Sequence, residues 1–227
     1  MKILIDWTRA ETTYTLGALS GYQRAMELQL VSAKEQAESE LNRWLESLGE
    51  GAFDEGVPVE VYEHQHDYEF AFPRFLRYSF LVLLFFAVEN QLNQVCDAIA
   101  HRRNLTLRAK DIRASGTIAT FRTYLQKVAE LSDLGSTLWE PIMELADLRN
   151  CIVHALGKVP SEKEGERLRQ IVKKTPGLAI GEEDYGQPDV LLITPEYCSQ
   201  AVSMVDKFFD TLFEAADFGP KHIKISE

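Results

Sequence analysis

Between Leu16 and Leu48 the apolar positions Leu19, Tyr22, Met26, Leu30, Ala33, Ala37, Leu41, Trp44 and Leu48 recur at steps of three and four, the period of one face of an α-helix. The opposite face is rich in Glu and Gln, so an amphipathic helix of unusual length is expected. Gly49, Gly51, Gly56 and Pro58 interrupt it. Val57, Val59 and Val61 then alternate with Pro58, Glu60 and Tyr62, which predicts a short extended segment. Met1 to Trp7 reads equally well as a short strand or an arm.

A second long helix is expected over Phe75 to Ala100, with Leu81, Leu84, Val88, Leu92, Val95 and Ile99 as its inner stripe. Phe80, Leu83, Phe85 and Phe86 add apolar bulk to its other faces, the mark of a helix covered nearly all round. His101 to Gly116 is a basic connection, and Thr117 to Leu131 continues as a third helix through Ile118, Phe121, Tyr124, Leu125 and Val128. Asp133 to Ser136 turns into a fourth, Thr137 to Leu156. After Gly157 the chain becomes polar. Leu178 to Ile180 and Val190 to Ile193, separated by an acidic, Gly-containing stretch, predict a β-hairpin. Thr194, Pro195 and Glu196 form a helix start: a capping hydroxyl, a proline at the first position and an acid in the first turn. The last helix is expected to reach about Ala216, with a frayed tail after Phe218. The fold class is therefore an all-α bundle with a small β-hairpin before the last helix. No internal repeat or Gly-rich phosphate loop is present in the sequence.

The chemistry concentrates in the fourth helix, at Arg149-Asn150-Cys151-Ile152-Val153-His154. Ile142, Leu145, Ile152, Val153 and Leu156 make its apolar stripe, and Arg149 falls within it. A guanidinium there needs acceptors beside it, because desolvating an unpaired charge costs several kcal/mol or more. Glu89, directly after the apolar run of the second helix and sharing a face with Asn93, is the candidate acid. Asp147, Asn150 and His154 form a separate polar stripe, turned by roughly 140° from Arg149. One helix cannot easily aim Arg149 and His154 at a common atom, whereas two copies facing each other across a twofold axis can.

At these residues the chain resembles the HEPN superfamily, whose signature is Arg, four to six residues, then His, often with Asn directly after the Arg. The resemblance extends over about Phe75 to Leu212 and takes in the helix carrying Glu89 and Asn93. It implies one HEPN-like domain over residues 1–227, with an N-terminal arm and long helix in 1–73, a core in 74–216 and a tail in 217–227. It further implies a metal-independent endoribonuclease that cleaves by transesterification to a 2′,3′-cyclic phosphate and a 5′-hydroxyl, with Arg149, Asn150 and His154 as catalytic residues and Glu89 and Asn93 in support. Toxin or phage-defence roles, homodimerisation and an inhibitory partner protein belong to the same picture. Some members carry a Tyr two residues after the His, the target of a silencing nucleotidyltransferase; here that position is Leu156. The alternative is a non-catalytic HEPN-like dimeric interaction or nucleotide-binding module in which Arg149 and Glu89 are a structural pair.

Residue chemistry fits the first reading independently of the resemblance. Metal-free RNA cleavage asks for a base, an acid and cationic donors on the phosphate; His is the residue type suited to proton transfer near neutral pH, and Arg supplies a fixed fork of donors.

A net charge of −11 argues against a general nucleic-acid coat protein. Local cation clusters remain. Arg102, Arg103, Arg108, Lys110 and Arg113 enclose only one acid, Asp111, and are the better RNA-phosphate candidates. Lys163, Arg167, Arg169, Lys173 and Lys174 alternate with Glu162, Glu164 and Glu166 and read as a solvated face. Cys96, Cys151 and Cys198 have no metal spacing and read as reduced, buried thiols; His64 and His66 lack a second cluster to complete a metal site. No cofactor is called for. The longest uninterrupted apolar run, Phe80 to Val88, falls well short of the ~20 residues that span a bilayer, and Met1 to Trp7 lacks signal-peptide architecture. A cytoplasmic protein without membrane attachment is the expectation.

Overall fold

The computed structural model describes residues 6–48, 59–131, 134–161, 163–181 and 189–219. In chain order the helices are α1 (Trp7–Ser47), α2 (Val59–His66), α3 (Phe72–Arg102), α4 (Thr117–Lys127), α5 (Ser136–Ala155), α6 (Lys163–Lys174) and α7 (Pro195–Ala215). Strands β1 (Leu178–Gly181) and β2 (Val190–Ile193) form an antiparallel hairpin between α6 and α7, with Leu178 opposite Ile193 and Gly181 opposite Val190. The expected all-α architecture with one hairpin is the one observed.

Helix α3 is the axis of the bundle and packs against α1, α4, α5 and α7. Its Leu81, Leu84, Val88, Leu92 and Val95 are wholly buried, as the inner stripe requires. The continuous helix Val59–Arg102 contains a window apolar enough to cross a membrane, and half of that window is buried inside the bundle, which is also how a soluble core helix reads. Trp139 of α5 meets Phe208 of α7 edge-on at 5.1 Å between ring centres, and Phe209, Phe213 and Phe218 extend the aromatic chain.

Polar contacts fix the ends. Asp6 caps α1 by accepting from the backbone N–H of Arg9 at 3.4 Å and also accepts from Arg102 and from Gly219 N–H. Burial alone would raise the Asp6 carboxyl, but the Arg102 and backbone hydrogen bonds outweigh it and hold the group below its ordinary value. Arg9, itself buried, pairs with Asp210 at 3.1 Å and donates to Gly219 O. Thr194 caps α7 as expected, accepting from Tyr197 N–H.

Several local expectations are corrected. Helix α1 begins at Trp7, nine residues before Leu16, because Asp6 caps it. The expected extended segment is instead helical from Val59, with residues 57 and 58 outside the described region. Three alternating valines are too short a pattern to distinguish strand from the first turn of a helix. A one-residue widening of the helix at Asp67–Ala71 joins α2 to α3. On a helix His64 and His66 diverge by about 200°, so they share no face. Helix α6 was not expected; its Leu168 and Ile171 are buried against the bundle, a stripe too short to stand out among the charges. Met1 to Ile5, most of the hairpin's acidic connection and the tail beyond Gly219 lie outside the described residues.

Candidate functional site

Helix α5 carries the motif. Its buried side is Ile142, Leu145, Leu148, Cys151 and Ile152, while Val153 and Leu156, expected in the same stripe, are exposed. Val153 stands about 100° round the helix from Ile152, at the edge of the buried arc. Leu156 leaves the helical phase altogether: it adopts a left-handed conformation (φ 51°) that ends α5, and Gly157 follows at φ 82°. Gly157 is also tightly held: a Cβ at this position would sit 1.9 Å from Tyr78 Oη. That hydroxyl donates to Leu191 O at 2.5 Å, and Leu191 N–H donates to Gly157 O at 2.9 Å. The motif helix is thereby tied to both α3 and β2.

Arg149 is half-buried and points along α3. Its guanidinium carbon lies 5.7 Å from the centre of the Phe85 ring, and Nη1 donates to Asn150 Oδ1 at 3.0 Å. Both residues line a cavity of about 420 Å³ walled by α3, the first turn of α4, α5 and α6. Ser115, Gly116 and Thr117 form one rim, where α4 starts without a side-chain cap, so its first backbone N–H groups lack helical acceptors. Arg167 forms another, paired with Asp147. The cavity therefore gathers donors suited to an anion together with two carboxylates, Glu89 and Asp147.

Glu89 lines this cavity, yet no ion pair joins it to Arg149 among the described residues. The expected direct contact is not made, because Arg149 lies over Phe85, one turn before Glu89, and turns to Asn150. Asn93 is exposed and lies outside the cavity lining. His154 is also exposed, one turn beyond Asn150 on the same face of α5, and it too lies outside. The structure thus places Arg149, Asn150 and Glu89 on one cavity, while His154 stands outside its lining, one turn beyond Asn150.

The basic connection reaches this cavity only through Ser115 and Gly116; none of its cations lines it. Arg102 is engaged by Asp6 and stacks over Phe218 at 4.0 Å, Arg103 donates to Ala129 O, and Arg108 donates to Asp97 O. Lys110 and Arg113 are exposed. The second cluster, read as a solvated face, partly ties α6 to α5: Arg167 to Asp147, and Lys174 to Glu140 and Glu144. Arg167 and the α4 start were missed as site residues. Gly116-Thr117 marked a helix start in the sequence, but nothing there placed it beside Arg149.

Cys151 is buried, its Sγ 3.6 Å from Lys158 O, and burial pushes its thiol up. A thiol held protonated is a poor nucleophile. Val153 and Leu156, close to His154 in sequence on α5, are exposed, and so are Leu83 and Phe86 on α3. No family model, curated protein or solved structure matches the chain.

Proposed function

We propose that the protein is a metal-independent endoribonuclease of HEPN type that acts as a homodimer. The observation that carries this reading is the placement of Arg149 and Asn150 at a donor-lined cavity, with His154 exposed on the same helix next to the exposed apolar side chains of Val153 and Leu156. A cation fork and amide at a cavity suit a phosphate; an exposed His bordered by exposed apolar side chains suits a site that closes only when a second copy covers it. Exposed Phe86, Leu83, Val153 and Leu156 supply the area that such pairing buries.

In this scheme the His154 of one copy takes the 2′-OH proton of the RNA as the 2′ oxygen attacks phosphorus. The bond to the 5′ oxygen breaks, and His154 of the partner subunit gives that oxygen its proton, leaving a 2′,3′-cyclic phosphate and a 5′-hydroxyl. Arg149 stabilises the charge on the non-bridging oxygens, and Asn150 holds the guanidinium by the hydrogen bond described above. Toxin or phage-defence activity, restrained by a partner protein, is the setting this chemistry fits. The module reading, in which Arg149 and Glu89 are a structural pair, rests on a contact the structure does not make.

The test is RNA incubated with the protein in chelator and resolved on a gel, with the product ends identified chemically. Cleavage leaving cyclic phosphate, and its loss in His154→Ala, is the expected result. Intact RNA, or cleavage unchanged in His154→Ala, contradicts the proposal.

A further inference from the structure

The acid of this protein is not spread evenly. Residues 28–75 hold eleven carboxylates against three cations, a net of −8 out of the chain's −11. The described part of this stretch is an antiparallel pair of helices, the C-terminal half of α1 and α2 with the start of α3. Glu27 with Arg77 at 3.0 Å and Lys34 with Glu69 at 3.5 Å fix their alignment. Beyond Gln23, no residue of α1 is buried, and none of α2 is.

Among its charges that pair also exposes apolar side chains. Leu28 is 70% exposed and Val59 61%, with Tyr62 and Val31 close behind and Phe72 less so. The stripe Leu30, Ala37 and Leu41, which on a completed bundle helix would be covered, reaches only partial burial. Two helices with a half-covered stripe are an unfinished three-helix bundle, and a helix laid along them would complete it. The sign of the surroundings selects the occupant. Its described residues, 28–48 and 59–75, hold eight carboxylates against three cations, so a second copy would set a net −5 against −5, and an anionic lipid surface or an RNA strand would meet the same repulsion.

We infer that this helical pair is a docking surface for a cationic amphipathic helix of a partner protein. The partner's apolar face covers Leu28, Val31 and Tyr62, and its Lys and Arg flank the carboxylates of Glu35, Glu38 and Glu63. The surface is separate from the Arg149 cavity and does not depend on the ribonuclease reading.

Fluorescence anisotropy on the full-length protein tests this with three labelled peptides of about 20 residues, the length of one such helix. One is Leu/Lys with apolar positions three and four apart, one its Leu/Glu counterpart, and one a Leu/Lys peptide scrambled to lose amphipathicity. The first is expected to bind, the other two at least tenfold more weakly. Leu28→Ser/Val31→Ser and Glu35→Lys/Glu38→Lys, all at exposed positions and checked for folding by thermal melts, should each weaken the first peptide at least tenfold. Unchanged affinity in both double variants overturns the inference, as does equal binding of the Leu/Glu peptide. Self-association of the free protein that Leu28→Ser/Val31→Ser abolishes overturns it too, since a second copy would then hold the surface.

Discussion

Arg149 lies with its guanidinium carbon 5.7 Å from the centre of the Phe85 ring, while Glu89, one turn further along α3, makes no ion pair with it. The charge is met by a ring face and by the Asn150 amide, not by a carboxylate. Glu89→Ala should therefore change stability by no more than about 1 kcal/mol in urea melts. A loss of about 3 kcal/mol or more is what an ion pair buried at this position would show, and it would contradict the arrangement.

Gly157 gives the opposite expectation. An alanine there meets Tyr78 at well under contact distance and is forced to φ 82°. Gly157→Ala should cost at least about 2 kcal/mol, and because Gly157 O accepts from Leu191, it should also loosen β2. Urea melts together with amide exchange at Leu191 measure both; wild-type stability would show that the turn can relax.

How much of this was legible in the sequence follows from what each signal depends on. The α3 stripe, the Thr194 cap and the hairpin are local patterns, and the structure keeps all three. The start of α1 was lost because its cap, Asp6, is completed by Arg102 and Gly219, residues far along the chain. Leu156 was misplaced because helical phase cannot tell where a left-handed turn ends a helix, and Val153 because it stands at the edge of the buried arc, about 100° from Ile152. At the site, the divergence of Arg149 and His154 followed from helix geometry alone, whereas the Arg167 and Gly116 walls come from tertiary packing that no spacing encodes.

Asp6 makes stability depend on acid. Its carboxyl is held below the ordinary value of about 3.9, so the unfolded chain binds its proton first as pH falls. The contribution is fully present above the unfolded value and is lost as pH drops below about 4 through the lower folded value. Asp6→Asn should flatten the fall in thermal midpoint over that window while lowering the midpoint at neutral pH. An unchanged acid slope in the variant would show that other carboxylates set it.

Pairing through the motif face makes a further demand. Phe86 is 67% exposed and lies on the α3 stretch beside Arg149's ring partner, Phe85. Phe86→Glu should convert a dimer to a monomer in sedimentation experiments and abolish RNA cleavage while leaving the fold intact, since the position carries no core packing. A variant that stays dimeric would move the interface elsewhere.

The central claim is a site shared between two copies, and subunit mixing tests it most directly. Arg149→Ala and His154→Ala, each prepared alone, should cleave RNA on the order of 10²–10⁴-fold more slowly than wild type. Mixed and allowed to exchange, they form heterodimers in which an intact Arg149 and an intact His154 face the same phosphate from different chains; the single His154 acts as the base and water supplies the leaving-group proton, so part of the wild-type rate is expected back. Cleavage that recovers on mixing, in chelator and with cyclic phosphate ends, is the predicted result. Two inactive proteins that stay inactive when heterodimers are shown to form would contradict it.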